Sequence, residues 1–308
     1  MAGDRLRIIC GPTASGKSDL ALELCETYNA AIVSADSRQI YCEFNVGTAK
    51  PTREDCARVT HYGVDVVEAE ERYSAARWAG DAIEWIESAG EIEKEVVVVG
   101  GTGLYIKALV EPLFEAPDYE QARREQLERE LATMSVLDLR RWCEQLDPAR
   151  AHLGRTQLLR AIETALLCGS RISDLHSRHK AANETSEDAQ NPSYLVVDPG
   201  DGLGARIQAR VDKMLGAGWV DEVRELVSTV SLDAPAWKAS GYVAVRSHVE
   251  GAIDLSSATQ RVIIETRQYA KRQRTWFRNQ LPTAAVTHVN PDDPHALTIA
   301  REWWERAE

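Results

Sequence analysis

An α/β fold built on a parallel sheet is predicted by two features of the sequence. Short apolar runs rich in Ile and Val, each closed by a polar or glycine turn, recur as LRIIC (6–10), AAIVSAD (30–36) and EVVVVG (95–100). Helix-periodic stretches such as SDLALELCETY (18–28) and YSAARWAGDAIEWIESAG (73–90) lie between them. Strands alternating with helices need crossover connections, which yield a parallel sheet covered by helices. Ligands in such sheets bind at the carboxyl ends of the strands. The residues just after each apolar run are therefore the first candidates for a site.

After the first run stands GPTASGKS, Gly11 to Ser18, which fits G-x-x-x-x-G-K-[ST]. It follows a strand pattern and opens a helix pattern, the context in which this P-loop motif has physical meaning. Backbone N–H groups of Gly11, Thr13, Ala14, Ser15 and Gly16, in a loop that also contains Pro12, form a phosphate cradle with the helix N-terminus. Lys17 then holds the outer phosphate oxygens and the Ser18 hydroxyl sits on Mg²⁺. The fold class is thus α/β with a P-loop-type parallel sheet core.

The second run ends on Asp36, followed by Ser37, Arg38 and Gln39. Nucleotide-hydrolysing proteins of this kind usually have an apolar strand ending in a magnesium-holding Asp. Here the best such strand, VVVVG, ends instead in Gly100-Gly101-Thr102-Gly103. Asp36 and Thr102 are expected to meet the phosphate cradle in one crevice, a geometry suited to a transferase or a small-molecule kinase. The carboxylate of Asp36 can bind a metal, orient an acceptor or remove its proton. A helix N-cap is the alternative reading of the same residue.

From Pro117 onward the pattern changes to charged, Leu-rich helical segments with no strand-like run, through YEQARREQLERELATMSVLDLRRWCEQL and RTQLLRAIETALLC. A polar stretch, HSRHKAANETSEDAQNPS (176–193), follows and reads as a mobile loop. The strand candidate YLVVD (194–198) and two helical segments, 205–226 and 257–280, complete the chain. Residues 1–116 and 192–308 are therefore expected to form the core, and 117–191 a helical insertion domain ending in the polar loop.

Composition bounds the partners. The chain has 308 residues, 44% hydrophobic and 27% charged, with a formal net charge of −12. That charge disfavours nucleic acid as a global partner, but Arg261 to Arg278 carries six Lys/Arg against one Glu. Arg267, Lys271, Arg274 and Arg278 recur at helical spacing on one face, a local footprint for a phosphate backbone. Val262, Tyr269 and Trp276 lie on another stripe that can pack on a core. No apolar run approaches the roughly 18 residues of a membrane span. The six cysteines include no CxxC pair, and they read as reduced packing residues of a cytoplasmic protein.

Taken together, GPTASGKS, SADSRQIY, VGTAKPT (46–52), YSAARW (73–78), VVGGTGLYIKAL (98–109), RAIET (160–164) and TRQYAKRQRTWFR (266–278) resemble the tRNA dimethylallyltransferases, in the family's order and over nearly the whole chain. The resemblance implies transfer of a dimethylallyl group from dimethylallyl diphosphate to N6 of the adenosine beside the anticodon. It implies Lys17, Asp36 and Thr102 as catalytic residues, Asp36 being the base, and Gly11–Ser18 as the diphosphate site with Mg²⁺ on Ser18. It further implies tRNA contacts by Asp36, Ser37, Arg38, Gln39, Thr102, Arg160, Lys238, and Lys271, Arg272, Gln273, Arg274, Thr275, Trp276, Phe277 and Arg278. The expected protein is a cytoplasmic monomer without membrane attachment.

Four departures from the family pattern stand out: His61-Tyr62-Gly63, Thr156-Gln157 before RAIET, HLGR (152–155), and Lys238 with Val243 in WKASGYVAV. All fall on surfaces expected to hold tRNA, and none touches the P-loop, Asp36 or Thr102. An adenylate isopentenyltransferase of the cytokinin type is the nearest alternative, and a small-molecule kinase the next.

Overall fold

The computed structural model describes residues 5–111, 121–175, 177 and 192–306. The chain divides into two compact units, Met1–Val110 with Gln190–Glu308, and Glu111–Ala189. The expected start of the insertion at Pro117 and most of the polar stretch, 178–191, lie outside the described residues.

The first unit is organised by a six-stranded sheet: β1 (Arg7–Cys10), β2 (Ala30–Ser34), β3 (His61–Tyr62), β4 (Glu95–Gly100), β5 (Ser193–Val197) and β6 (Val286–Val289). The spatial order is β3-β2-β4-β1-β5-β6, and each neighbouring pair is parallel. Two of these strands, β3 and β6, are not evident in the sequence. The first has only two residues and both are short edge strands, so neither offers enough alternation to reveal a period.

Every residue of β1 and β2 is buried, as expected of a parallel sheet covered on both faces. On one face α1 (Lys17–Tyr28) packs over Ile9, Val97, Val99 and Leu195. The other face receives α3 (Ala75–Glu91) and α4 (Gly103–Val110), where Trp78 stacks on Tyr105 at 4.8 Å and donates its indole N–H to Ser34 O at 3.0 Å. A short helix, α2 (Arg53–Arg58), starts in a capping box made by Thr52 and Asp55.

The C-terminal helix α12 (Ala296–Arg306) closes the first face. Its Trp304 is fully buried, stacks on Tyr28 at 5.0 Å, lies under the Arg7 guanidinium and donates to Glu95 at 3.1 Å. Replacing it by Ala is expected to cost about 3–5 kcal/mol, read as a lower midpoint in urea unfolding.

The second unit contains α5 (Gln121–Ala132), α6 (Val136–Leu146) and α7 (Arg155–Cys168) around Leu131, Leu139, Cys143, Leu158 and Ile162. It is helical, as the change of pattern indicates. In the first unit four more helices follow β5: α8 (Leu203–Gly216), α9 (Trp219–Thr229), α10 (Tyr242–Val249) and α11 (Leu255–Gln280). The segment 205–226 reads as one helical pattern but is two helices. Gly218, left-handed at φ 93°, breaks it and opens α9.

Candidate active site

The site lies at the carboxyl ends of β1, β2 and β4. Gly16 is left-handed (φ 86°) and α1 begins at Lys17, so the loop 11–16 curls ahead of the helix N-terminus. Ser15 is fully buried and its Oγ has no partner among the described residues. An orphaned buried hydroxyl is costly unless a ligand satisfies it, and inside this loop an oxyanion is the fitting ligand. Lys17 Nζ lies 3.4 Å from Pro12 O, folded back over the loop.

Asp36 follows β2 by two residues. Its Oδ1 accepts the Arg38 N–H at 2.9 Å, and the chain then turns without entering a helix until Arg53. Asp36 therefore caps no helix, and the capping alternative fails. Thr102 is fixed beside it. Its N–H donates to Ala35 O at 3.1 Å, its Oγ1 accepts from Ser37 N–H at 3.1 Å, and its side chain meets the Tyr269 phenol of α11.

A single cleft is lined by Thr13, Lys17, Asp36, Arg38, Arg210 and Tyr269, and it continues to an apolar part at Val211, Met214, Trp219 and Val262. Three cations, Lys17, Arg38 and Arg210, thus face it against one carboxylate. This local excess of positive charge suits an anion on a chain whose net charge is −12. Desolvation lowers the Lys17 pKa from 10.5 to about 8; Asp36 acts to raise it and Arg210 to lower it further. Arg210, also lowered by burial and pulled back by Asp36, donates to Thr48 O at 3.3 Å.

Two glutamines among the expected RNA contacts make internal hydrogen bonds. Gln273 is buried; its Oε1 accepts the Thr13 N–H and its Nε2 donates to Gly101 O, both at 2.8 Å. One side chain thereby ties the phosphate loop to the turn after β4. Gln39 accepts from Ser34 Oγ at 3.0 Å and donates to Ala49 O at 3.0 Å, holding the wall at Thr48 and Ala49. Buried amides of this kind seek protein partners because no water replaces them. Gln273→Ala leaves the Thr13 N–H and Gly101 C=O unpaired, a penalty of about 1–3 kcal/mol. Urea unfolding of this variant is expected to show a correspondingly lower midpoint.

The basic helix is also split by packing. Arg267, Lys271, Arg272, Thr275 and Arg278 are exposed, whereas Phe277 is buried. Arg274 is paired with Asp198 and the Gly200 carbonyl, so its guanidinium is held at the end of β5. Trp276 is half-buried against Gly103, where a Cβ would fall 2.4 Å from the indole; only glycine permits that approach. Of the expected run of RNA contacts, Gln273 and Phe277 are buried and Arg274 is held in an ion pair, whereas Lys271, Arg272, Thr275 and Arg278 stand exposed. Lys238 is exposed at the end of the turn Pro235–Lys238, and Arg160 is exposed on α7 in the second unit.

Arg210 and Tyr269 are site residues that the sequence reading missed. A signal existed for Arg210: it interrupts the apolar stripe Leu203, Ile207, Val211 and Met214 of α8. Gln273 interrupts the buried stripe Thr266, Ala270, Phe277 of α11 in the same way. A polar residue inside a buried stripe needs a partner, and here each finds one in the site.

For magnesium, Ser18 stands exposed in the first turn of α1. Among the described residues no group of three or more His, Cys, Asp and Glu could hold a metal ion. One hydroxyl beside a phosphate cradle fits Mg²⁺, which takes few protein ligands and most of its shell from phosphate and water.

A P-loop-type parallel sheet with a cationic cleft leading from the phosphate cradle to a carboxylate and an apolar end defines an α/β transferase of phosphorylated donors. The sequence matches the IPP transferase family over residues 39–280. It is 38% identical over 302 residues to a tRNA dimethylallyltransferase of Cyanothece sp., covering 95% of this chain and 94% of the relative. A tRNA dimethylallyltransferase of Thermotoga neapolitana is 39% identical over 281 residues, 89% of each chain. The solved full-length tRNA isopentenylpyrophosphate transferase of Bacillus halodurans superposes with a TM-score of 0.67 at 27% identity, covering 99% of this chain and 98% of that one. The chain belongs to the IPP transferase family.

Proposed function

We propose that the protein transfers a dimethylallyl group from dimethylallyl diphosphate to N6 of the adenosine 3′-adjacent to the anticodon in tRNA, releasing diphosphate. The observation that carries this reading is the continuity of the cleft. Lys17 and Arg210 offer cations to a diphosphate, Asp36 stands beside them, and Met214, Trp219 and Val262 offer an apolar end to a short hydrocarbon.

The allylic C–O bond breaks as the C–N6 bond forms, and the leaving diphosphate takes the bonding electrons. Lys17, Arg210 and the loop N–H groups stabilise that growing charge, in a site whose donors are already oriented. Asp36 accepts the N6 proton, so that a weakly nucleophilic amine attacks without becoming cationic. Thr102, fixed through Ser37 and Tyr269, orients the amine. The Ser18 hydroxyl would hold Mg²⁺, which would supply charge neutralisation for the leaving diphosphate.

Arg38 contacts the nucleotide entering the cleft, and the exposed Arg267, Lys271, Arg272 and Arg278 follow the RNA backbone. Lys238 and Arg160 add cations on their own surfaces. A base paired or stacked in an anticodon arm must be extruded to reach Asp36.

The test uses purified protein, dimethylallyl diphosphate, Mg²⁺ and either unmodified tRNA or AMP, with nucleosides analysed by mass after digestion. Prenylated adenosine from tRNA alone is the expected result. Product from AMP alone would replace the acceptor with a free nucleotide, and no product from either would overturn the reaction.

A further inference from the structure

Apolar side chains of Met214, Trp219 and Val262 line part of the cleft. Two helices run along it from the cradle. On α8, a Cβ added to Gly16 would meet the Arg206 guanidinium at 3.2 Å, placing Arg206 at the loop. Arg210 lies one turn on, facing Lys17 and Asp36, and Met214 one turn beyond that, about 6 Å further at 1.5 Å per residue. On α11 the order runs from Gln273 at Thr13, through Tyr269 at Thr102, to Val262. Both rulers pass from polar to apolar, and Met214, Val262 and Trp219 line the same cleft.

Trp219 is fully buried and packs edge-on against Tyr242 at 5.4 Å. A Cβ on Gly47 would fall 2.1 Å from its Nε1. One on Gly241 would fall 2.6 Å from its Cη2 and 3.0 Å from Val262. The indole is thus clamped between two glycines, with no slack on either side. Behind it the Glu222 carboxylate accepts the N–H groups of Asn45 (2.9 Å) and Val46 (2.6 Å) and the Tyr242 hydroxyl (2.6 Å), while Tyr242 accepts the Gly47 N–H at 3.1 Å. A carboxylate with this many donors holds the loop rigidly. Such a wall resists displacement by a longer ligand.

We infer that Trp219, with Met214 in front of it, is the length stop that restricts the donor to a single five-carbon allylic unit. The inference rests on the proposed donor reading and names the feature that sets its size. Four carbons in line beyond the ester oxygen, at about 1.5 Å per bond, span roughly the one helical turn between Arg210 and Met214. A ten-carbon chain would have to pass through the indole.

The experiment measures binding of dimethylallyl and geranyl diphosphates by titration calorimetry in the intact protein, beside transfer to tRNA. The wild type is expected to prefer the five-carbon donor by more than ~200-fold, above the ~10–200-fold that one methylene supplies. Met214→Ala is expected to cut that preference at least ~10-fold, and Trp219→Leu to cut it further, with transfer of the geranyl group following. Should Trp219→Leu fail to fold, Met214→Ala decides. An unchanged preference in a folded Met214→Ala, or equal binding of both donors by the wild type, overturns the stop. Dimethylallyl diphosphate that binds with the stated preference yet never reaches RNA would sink the proposed reaction and leave the stop standing; a protein that binds neither donor sinks both.

Discussion

Asp36→Asn is expected to lower the rate constant of transfer by roughly 10²–10⁴-fold, the usual worth of a positioned base, while donor affinity near pH 7 is retained. The geometry makes this variant informative. The Asp36 carboxylate gives Oδ1 to the Arg38 N–H at 2.9 Å, and an asparagine oxygen makes the same bond. The turn after β2 therefore survives and only the basicity is lost. The diphosphate cradle should not weaken either, because the change removes a negative charge from the neighbourhood of Lys17 and Arg210. Single-turnover kinetics with prebound tRNA separates the two quantities. A variant that keeps more than a tenth of the rate would show that the carboxylate orients the amine without taking its proton.

Lys17→Met is expected to weaken donor binding about 10–100-fold, the loss of one charge-assisted contact to phosphate. The wild-type protein should also reveal this lysine through pH. With a pKa near 8 in the fold against 10.5 for a free side chain, Lys17 is charged in both states below pH 8. Between about 8 and 10.5 the unfolded chain binds the extra proton, so this group makes the stability rise with pH across that window. Donor binding moves the other way. A diphosphate selects the ammonium form, so the dissociation constant is flat below about pH 8 and then rises up to tenfold per unit. The break should vanish in Lys17→Met. It should move to lower pH in Asp36→Asn, because Asp36 is a charge that holds the lysine proton on. A break that stays in place in both variants would assign it to another group.

Both of these residues are legible in the amino-acid sequence, and the reason is local. A phosphate cradle is written in eight consecutive residues, because a glycine-rich turn between a strand and a helix needs nothing else to form. Asp36 and Thr102 follow from the same logic, since apolar runs declare strands and a parallel sheet collects their carboxyl ends. The helical second unit is equally visible in the loss of strand-like runs from about Pro117. Other features required the tertiary structure. Gln273 and Lys271 lie two residues apart and read alike as polar members of a basic helix, yet one is buried across the phosphate loop and the other is exposed. Arg210 reaches the cleft only because α8 packs on α11 and brings it to Asp36, far away in sequence, and Trp219 becomes a floor only because Gly47 and Gly241 close on it. Local pattern determines which elements form and where a turn can bind phosphate. Which face of a helix is buried, and which polar group then finds a partner there, is decided by long-range packing that no single stretch of sequence contains.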